Sequence, residues 1–391
     1  MPADRQWVIR NLGFDPISTP APSDTYTIQA AAKPTSTPED FQREIIDFDS
    51  EAPAGRAFLA FSTATGLSRF SEISWPRGRA PKTGNKPKGR RGSALPRADV
   101  LLVTWTVDEG HALSRVLTPG KDSRNDYVPY TRNYAAFARK MSPRSPARQL
   151  KRLGAYWTTT IGGKKVVVLK SDSHLSQDTK KVPRANQTLP NEDFWKQIIE
   201  EVRPKLIITT GTAGGIGKTL EVGDVVVSAN VRFDCQKWLK RAPYHAADYR
   251  NTAARPKYLA QARKLFKANA GQLPKTNKRP PKIIRVAPNA VSSSVLTTDF
   301  FGFDTSDNRY KLWGLGKVSE MGDAVLGKVA KGMGPASPRW IAVRNVSDPQ
   351  IKADGLSPKE QARIAAQIYK GFGRWSSVCS AIVCWALIAA E

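Results

Sequence analysis

The chain has 391 residues, and its 61 Lys and Arg against 34 Asp and Glu give a formal net charge of +27. That length holds one large α/β domain with appendages or two domains, and that charge favours polyanionic partners (nucleic acid, an anionic membrane surface or nucleotide phosphates) or a solubilising surface. Three cysteines (Cys235, Cys379, Cys384) and three histidines without CxxC or Cys/His spacing exclude a disulfide framework and a zinc cluster. They fit a reducing, cytoplasmic setting and imply no metal. The first residues, MPADRQWVIRNLGFD, lack the apolar core of a signal peptide. In chain order, residues 1–97 form an N-terminal extension with a short helix signal at EDFQREIIDF. It ends in WPRGRAPKTGNKPKGRRGSALPR, rich in Pro, Gly and positive charge, which reads as a solvated tether or a polyanion-binding tract through Arg77, Arg79, Lys82, Lys86, Lys88, Arg90 and Arg91.

An ordered domain is expected over 98–391. Val100 to Val103 suit a strand buried on both faces, followed by Asp108-Glu109 and a helix-like spacing of Ala112, Leu113 and Val116. A basic insertion covers about 119–153. GAYWTTTIGGKKVVVLK reads as a hairpin turning at Gly162-Gly163. The segment NEDFWKQIIEEVRP predicts a helix capped by Asn191 and stopped by Pro204. Strands follow at KLIITTG, GDVVVSANVRF, KIIRVAPNAV and RWIAVRNVS. Helices are expected near 254–268, 316–331, 357–370 and 374–390; the last, AIVCWALIAAE, is too short to span a bilayer and reads as buried.

LIITTGTAGGIGKTLEVGDVVVS superficially suggests a phosphate-binding loop at Gly217-Lys218-Thr219. Five residues, not four, separate Gly211 from Gly217, and a β-branched strand follows where such a loop must launch a helix. Gly217-Lys218-Thr219 is therefore read as a turn. The small residues Thr212, Ala213 and Gly214 let a ligand approach the backbone.

TGTAGGIGKTLEVGDVVVS resembles a signature of the nucleoside phosphorylase and 5′-methylthioadenosine/S-adenosylhomocysteine nucleosidase superfamily. VLLVTWTVDEGHAL, SSSVLTTDFFGFD, GLGKVSEMGDAVLGKVA and WIAVRNVSD are similar, in order, to other segments of that family. The resemblance covers roughly 98–390. It implies a three-layer α/β/α fold with a central mixed β-sheet. It implies Asp348 as the acid that protonates the purine at N7, Glu109 as the base that activates water, and Thr212, Ala213, Gly214 and Ser347 around the nucleoside. It also places Phe301 or Phe300 against the base and Met321 under the sugar.

The chemistry is sound on its own terms: N-glycosidic cleavage leaves an oxocarbenium-like sugar and a purine anion, so an acid at the base and a carboxylate beside the sugar both help. Two departures stand out. Where the family carries Glu-Met-Glu to grip the ribose, this chain reads Glu320-Met321-Gly322-Asp323, so Glu320 or Asp323 takes over or the sugar is held differently. KSDSHLSQD replaces a glycine-containing turn, and His174 there reads as a surface residue or a contact at the sugar's 5′ end. The expected function is cleavage of a purine nucleoside or nucleotide, by hydrolysis rather than phosphorolysis, with no cofactor. Basic residues of the insertion (Lys121, Arg124, Arg132, Arg139, Lys140, Arg144, Arg148) are candidates to meet substrate phosphates. The alternative is a catalytically inactive nucleotide sensor or nucleic-acid binder. The resemblance also implies a homo-oligomer.

Overall fold

The computed structural model describes residues 75–87, 91–143, 145–175, 188–251, 260, 263–267, 281–285, 294–300, 302–351 and 355–391. The strands are β1 (Lys82–Thr83), β2 (Val100–Thr104), β3 (Val128–Tyr130), β4 (Gly154–Ile161), β5 (Lys164–Ser171), β6 (Leu206–Gly215) and β7 (Val225–Ser228). They continue as β8 (Asn230–Phe233), β9 (Asp248–Arg250), β10 (Ile283–Arg285), β11 (Ser294–Thr297), β12 (Gly316–Glu320) and β13 (Arg339–Asp348). The helices are α1 (Val107–Leu117), α2 (Tyr134–Lys140), α3 (Pro146–Leu150), α4 (Pro190–Val202), α5 (Asp323–Met333) and α6 (Pro358–Ala390).

All the described strands join one mixed sheet. Its centre is parallel, β5–β2–β6–β13, and the apolar runs sit there because such strands are covered on both faces. Hairpin β4–β5 turns at Gly162 and Gly163, both at positive φ (55° and 82°), as a two-residue turn requires. Helices α1 and α6 pack on each other and against the sheet, while α4 packs on α5. In α6, residues Ala381 to Leu387 are completely buried, as the apolar C-terminal run predicts.

The sheet forks, and the fork creates the site. On one edge β6 pairs with β13 from Leu206 to Gly214. On its other edge it pairs with β2 only from Leu206 to Thr209 and with β12 only at Gly214 and Gly215. Between them, no strand among the described residues pairs with Thr210 to Ala213 on that edge, and the cleft opens there. This is the C-terminal end of the parallel strands, where open α/β sheets place ligands.

Part of the basic N-terminal tract is pinned to this domain. β1 pairs with β4, Trp157 Nε1 donates to Gly84 O at 2.9 Å, and Trp385 Nε1 donates to Arg79 O at 2.7 Å. Trp75 meets the Trp385 ring edge-on at 4.5 Å between centroids.

Three element expectations change. Residues 316–320 form β12, paired between β6 and β11, rather than the start of a helix: Gly316 lets it lie close against β11, and helix formation waits until Asp323. The helices expected at 357–370 and 374–390 are one continuous helix, which the glycines near 371–373 do not break. Asn191 is inside α4 rather than its cap: Pro190 takes the first turn, where its missing N–H costs nothing, and Leu189 precedes it. The helix expected near 254–268 lies mostly outside the described residues.

Candidate active site

Glu109 occupies the third position of α1 because Thr106 caps that helix. The Thr106 hydroxyl accepts Glu109 N–H at 3.3 Å, and Glu109 Oε2 accepts Thr106 N–H at 3.0 Å. The same carboxylate reaches across the fork. Oε2 also accepts Trp105 N–H at 3.0 Å and the Thr104 hydroxyl at 2.7 Å. Oε1 accepts Thr212 N–H at 2.7 Å and its hydroxyl at 2.8 Å. Burial alone would raise this carboxyl, but the Arg344 charge and the backbone donors outweigh it and hold it below the usual range. Glu109 is therefore an ionised carboxylate fixed to both walls of the fork.

Asp348, the last residue of β13, has the opposite environment. It is 1% exposed, and burial pushes its carboxyl up to about 7, opposed only by the Ser347 hydroxyl. That hydroxyl donates to Oδ1 at 2.7 Å, whereas Oδ2 has no hydrogen-bond partner among the described residues. A Cβ on Gly214 would stand 2.9 Å from Oδ2, so the absence of a side chain at 214 leaves this buried oxygen uncrowded. The two acids thus differ in protonation, as an acid–base pair requires.

Both carboxyls line one cleft of about 860 Å³, its open mouth included, with Thr212, Ala213, Gly214, Glu320, Met321 and Ser347 in its walls. Of the residues singled out from sequence, these eight come together. Phe300 is buried and is not among the cleft residues, although its ring lies beside Gly302, which is, and 5.3 Å from that of Tyr310 between centroids; Phe301 lies outside the described residues. Asp323 is held by Arg344, whose Nε and Nη2 meet its two oxygens at 2.8 and 2.5 Å. Glu320 lines the cleft but also serves the start of α5, accepting Gly322 N–H at 2.6 Å and Asp323 N–H at 2.8 Å. Burial and the Asp323 charge push its carboxyl upward, against the pull of Arg344 at 3.1 Å. Gly322 stands under the Trp105 ring, 3.3 Å from a Cβ placed there.

Other lining residues carry no motif. Trp105 covers Arg344, with the guanidinium carbon 4.8 Å from a ring centroid. Lys170, at the end of β5, lines the cleft with its ammonium on Asp172. Sequence reading passed over Lys170 because a lysine ending a β-strand reads as an ordinary solvated residue. His174 is a cleft residue and not a free surface histidine; burial and the nearby Lys170 charge hold it neutral, with its pKa lowered to about 4. Of the insertion's basic residues, Lys140 pairs with Asp193, Arg132 pairs with Glu201 and Lys121 lies over Trp157; Arg144 is outside the described residues. The described ones are not among the cleft residues, to which the insertion contributes Pro146. Among the described residues no cluster suits a metal ion and no helix is long and apolar enough to cross a membrane.

Short stretches of the chain resemble 5′-methylthioadenosine/S-adenosylhomocysteine nucleosidases. The match to that of Halalkalibacterium halodurans is 33% identical over 79 residues, 20% of this chain and 29% of the relative. The match to that of Lysinibacillus sphaericus is 40% identical over 77 residues, 20% and 28% respectively. These matches span less than a third of the relatives' lengths. Among solved structures, the Neisseria meningitidis nucleosidase bound to methylthio-immucillin-A aligns with a TM-score of 0.47 at 15% identity, over 75% of this chain and all of that one. The futalosine hydrolase of Helicobacter pylori aligns with a TM-score of 0.45 at 12% identity, over 74% and 96%. The model of the phosphorylase superfamily matches residues 130–372, well over half the sequence, and the chain belongs to that family.

Proposed function

We propose that the chain hydrolyses the N-glycosidic bond of a purine nucleoside or nucleotide and releases the free base. The observation that carries this is the buried, unpartnered Oδ2 of Asp348 beside Gly214, on a carboxyl that keeps its proton up to about pH 7. A protonated Asp348 donates to the purine N7, so that the electron pair of the breaking bond enters a neutral leaving group. Thr212, Ala213 and Gly214 offer the base a flat backbone wall, and Met321 lies under the sugar.

Glu109 acts at the other face of the reacting carbon. Its negative charge stabilises the oxocarbenium-like sugar, and its oxygens orient the attacking water and take up its proton. Both Oε1 lone pairs are filled by Thr212, so the Thr212 hydroxyl swings aside or relays the proton when water binds. Hydrolysis is favoured over phosphorolysis because Arg344, the guanidinium beside Glu109, is already engaged by Asp323 and Glu320 and offers no open fork to inorganic phosphate.

The test is incubation of the full chain with adenosine, methylthioadenosine and adenosine 5′-monophosphate, with and without phosphate, following free base. Release that does not depend on phosphate supports hydrolysis; release only with phosphate replaces it by phosphorolysis. Tight binding without release supports the nucleotide-sensor reading instead.

A further inference from the structure

Trp105 sits in the turn between β2 and α1, and its backbone N–H donates to Glu109 Oε2 at 3.0 Å. With the glycosidic carbon held at Glu109, the adjoining sugar carbon, C2′, meets the wall that Trp105 forms with the β12–α5 turn. In that wall the half-buried indole stands beside Glu320, Met321 and Gly322. A ring this large fits because position 322 has no side chain: its Cζ2 and Cε2 atoms would lie 3.3 and 3.5 Å from a Cβ there. The Arg344 guanidinium carbon lies 4.8 Å from a ring centroid, and the Trp195 ring meets Trp105 at 6.4 Å between centroids, inclined by 62°. Trp105 and Gly322 are thus a matched pair of large and absent side chains.

A hydroxyl buried against this wall needs an acceptor for its hydrogen. The carboxyls around it are already committed. Glu320 Oε1 accepts the Thr297 hydroxyl and Asp323 N–H at 2.8 Å. Its Oε2 accepts Gly322 N–H at 2.6 Å and faces Arg344 Nη2 at 3.1 Å, so its lone pairs are filled. Asp323 gives both oxygens to Arg344, at 2.8 and 2.5 Å. Glu109 holds five donors, and the open oxygen of Asp348 belongs to the base. An indole and a guanidinium donate and do not accept, and the Met321 thioether accepts only weakly. The wall beside C2′ is therefore made of carbon, donors and filled acceptors. A methylene suits it; a hydroxyl leaves its hydrogen unmatched there.

We propose that the substrate is a 2′-deoxynucleoside or its nucleotide, selected by Trp105 and Gly322, a proposal that rests on the nucleosidase reading for the pose of the ligand. Neither Glu320 nor Asp323 takes over a grip on the sugar hydroxyls, because each is spent on the start of α5 and on Arg344. The sugar is held by packing against Trp105 and Met321 instead.

The test uses probes that have no glycosidic bond to break, carbocyclic adenosine and carbocyclic 2′-deoxyadenosine, with affinities for the full-length chain measured by calorimetry. Rates are no substitute, because removing the 2′-hydroxyl weakens the glycosidic bond in itself. The deoxy probe binds about tenfold more tightly, the worth of one buried hydroxyl left without an acceptor. Equal affinities, or tighter binding of the ribo probe, overturn the proposal. Trp105→Gln sets an amide oxygen beside C2′, so the ribo probe gains and the gap narrows or reverses. A parallel weakening of both probes in this variant contradicts the selective role and marks the ring as a support of Arg344. Should Trp105→Gln not fold, Gly322→Ser gives the second readout: its hydroxyl is an acceptor on the same wall and narrows the gap, and an unchanged gap contradicts the assignment. Base release from adenosine and 2′-deoxyadenosine is scored separately. Its absence from both removes the nucleosidase reading, while the order of affinities by itself decides whether the cleft selects a deoxysugar.

Discussion

Gly211 and Glu109 share one space. A Cβ built on Gly211 would lie 2.6 Å from Glu109 Oε2, closer than real Cβ contacts come, and the glycine has a φ of +151°. The strand that forms the cleft wall therefore lacks a side chain at the point where the helix-borne carboxylate crosses to Thr212. Replacing Gly211 by Ala forces the carboxylate off its five donors. Base release falls about a hundredfold or more, comparable to Glu109→Gln, while stability drops by about 1–3 kcal/mol, the usual cost of overpacking. Steady-state kinetics with thermal melts checks this; a Gly211→Ala chain of full activity places Glu109 outside the chemistry.

The pH profile follows from Asp348. The acid must be protonated, so kcat/KM falls about tenfold per pH unit above about pH 7 and is level below it down to the acid limb set by the Glu109 carboxyl. Asp348→Asn removes the alkaline limb and lowers the rate by about 10²–10⁴, the range of general acid catalysis.

The same residue sets a stability trend of defined sign. Its folded pKa lies above the ordinary carboxylate value, so its stabilising effect is complete below about pH 4 and is lost as pH rises to about 7. Above that, an ionised carboxylate sits buried without a charge partner. Asp348→Asn thus gains stability over the parent at pH 8 relative to pH 4. The gain is a few kcal/mol, because each pH unit between the unfolded and folded pKa values is worth about 1.4 kcal/mol. Denaturant melts at the two pH values report it. A pH-independent difference rules out the buried-acid assignment.

Arg344 holds two buried carboxylates, Asp323 and Glu320, at 2.5 and 3.1 Å. Arg344→Met leaves both unpaired and destabilises the chain by about 3–5 kcal/mol. It also removes the charge that lowers the Glu109 carboxyl, so the acid limb of the rate profile moves to higher pH. A melt and a pH profile of one variant read both effects, and an unmoved acid limb separates Arg344 from Glu109.

The N-terminal strap makes a smaller contribution. Trp385→Phe keeps the ring against Trp75 but leaves Arg79 O without its 2.7 Å donor, at a cost of about 1 kcal/mol with base release unchanged. Loss of activity in this variant would connect the strap to the cleft.

The parallel centre of the fold was legible because its strands are continuous apolar runs, Val100 to Val103 and Leu206 to Ile208 among them. The acids were legible because each ends or follows such a strand, with small residues between them. The ambiguous segments were those whose local signals compete. Gly316 to Glu320 reads as the start of the helix that really begins at Asp323, because a short strand pairing through a few residues has little period of its own. The role of Asp323, the first residue of α5, is set by Arg344, twenty-one positions away on β13, and local sequence does not show that pairing. Lys170 was invisible for a similar reason: only the β5–β2–β6 order turns a strand-end lysine into the wall of a cleft.

Delivery of a proton from Asp348 to the departing base is the step on which the proposed function stands or falls. It is read most directly from the rate of base release from adenosine 5′-monophosphate and adenosine by the unsubstituted chain and by Asp348→Asn, followed from pH 5 to pH 9. The expected result is base release by the unsubstituted chain with an alkaline limb near pH 7, and its loss with the Asn side chain in place. Base release that survives Asp348→Asn at an unchanged rate and pH profile contradicts that role.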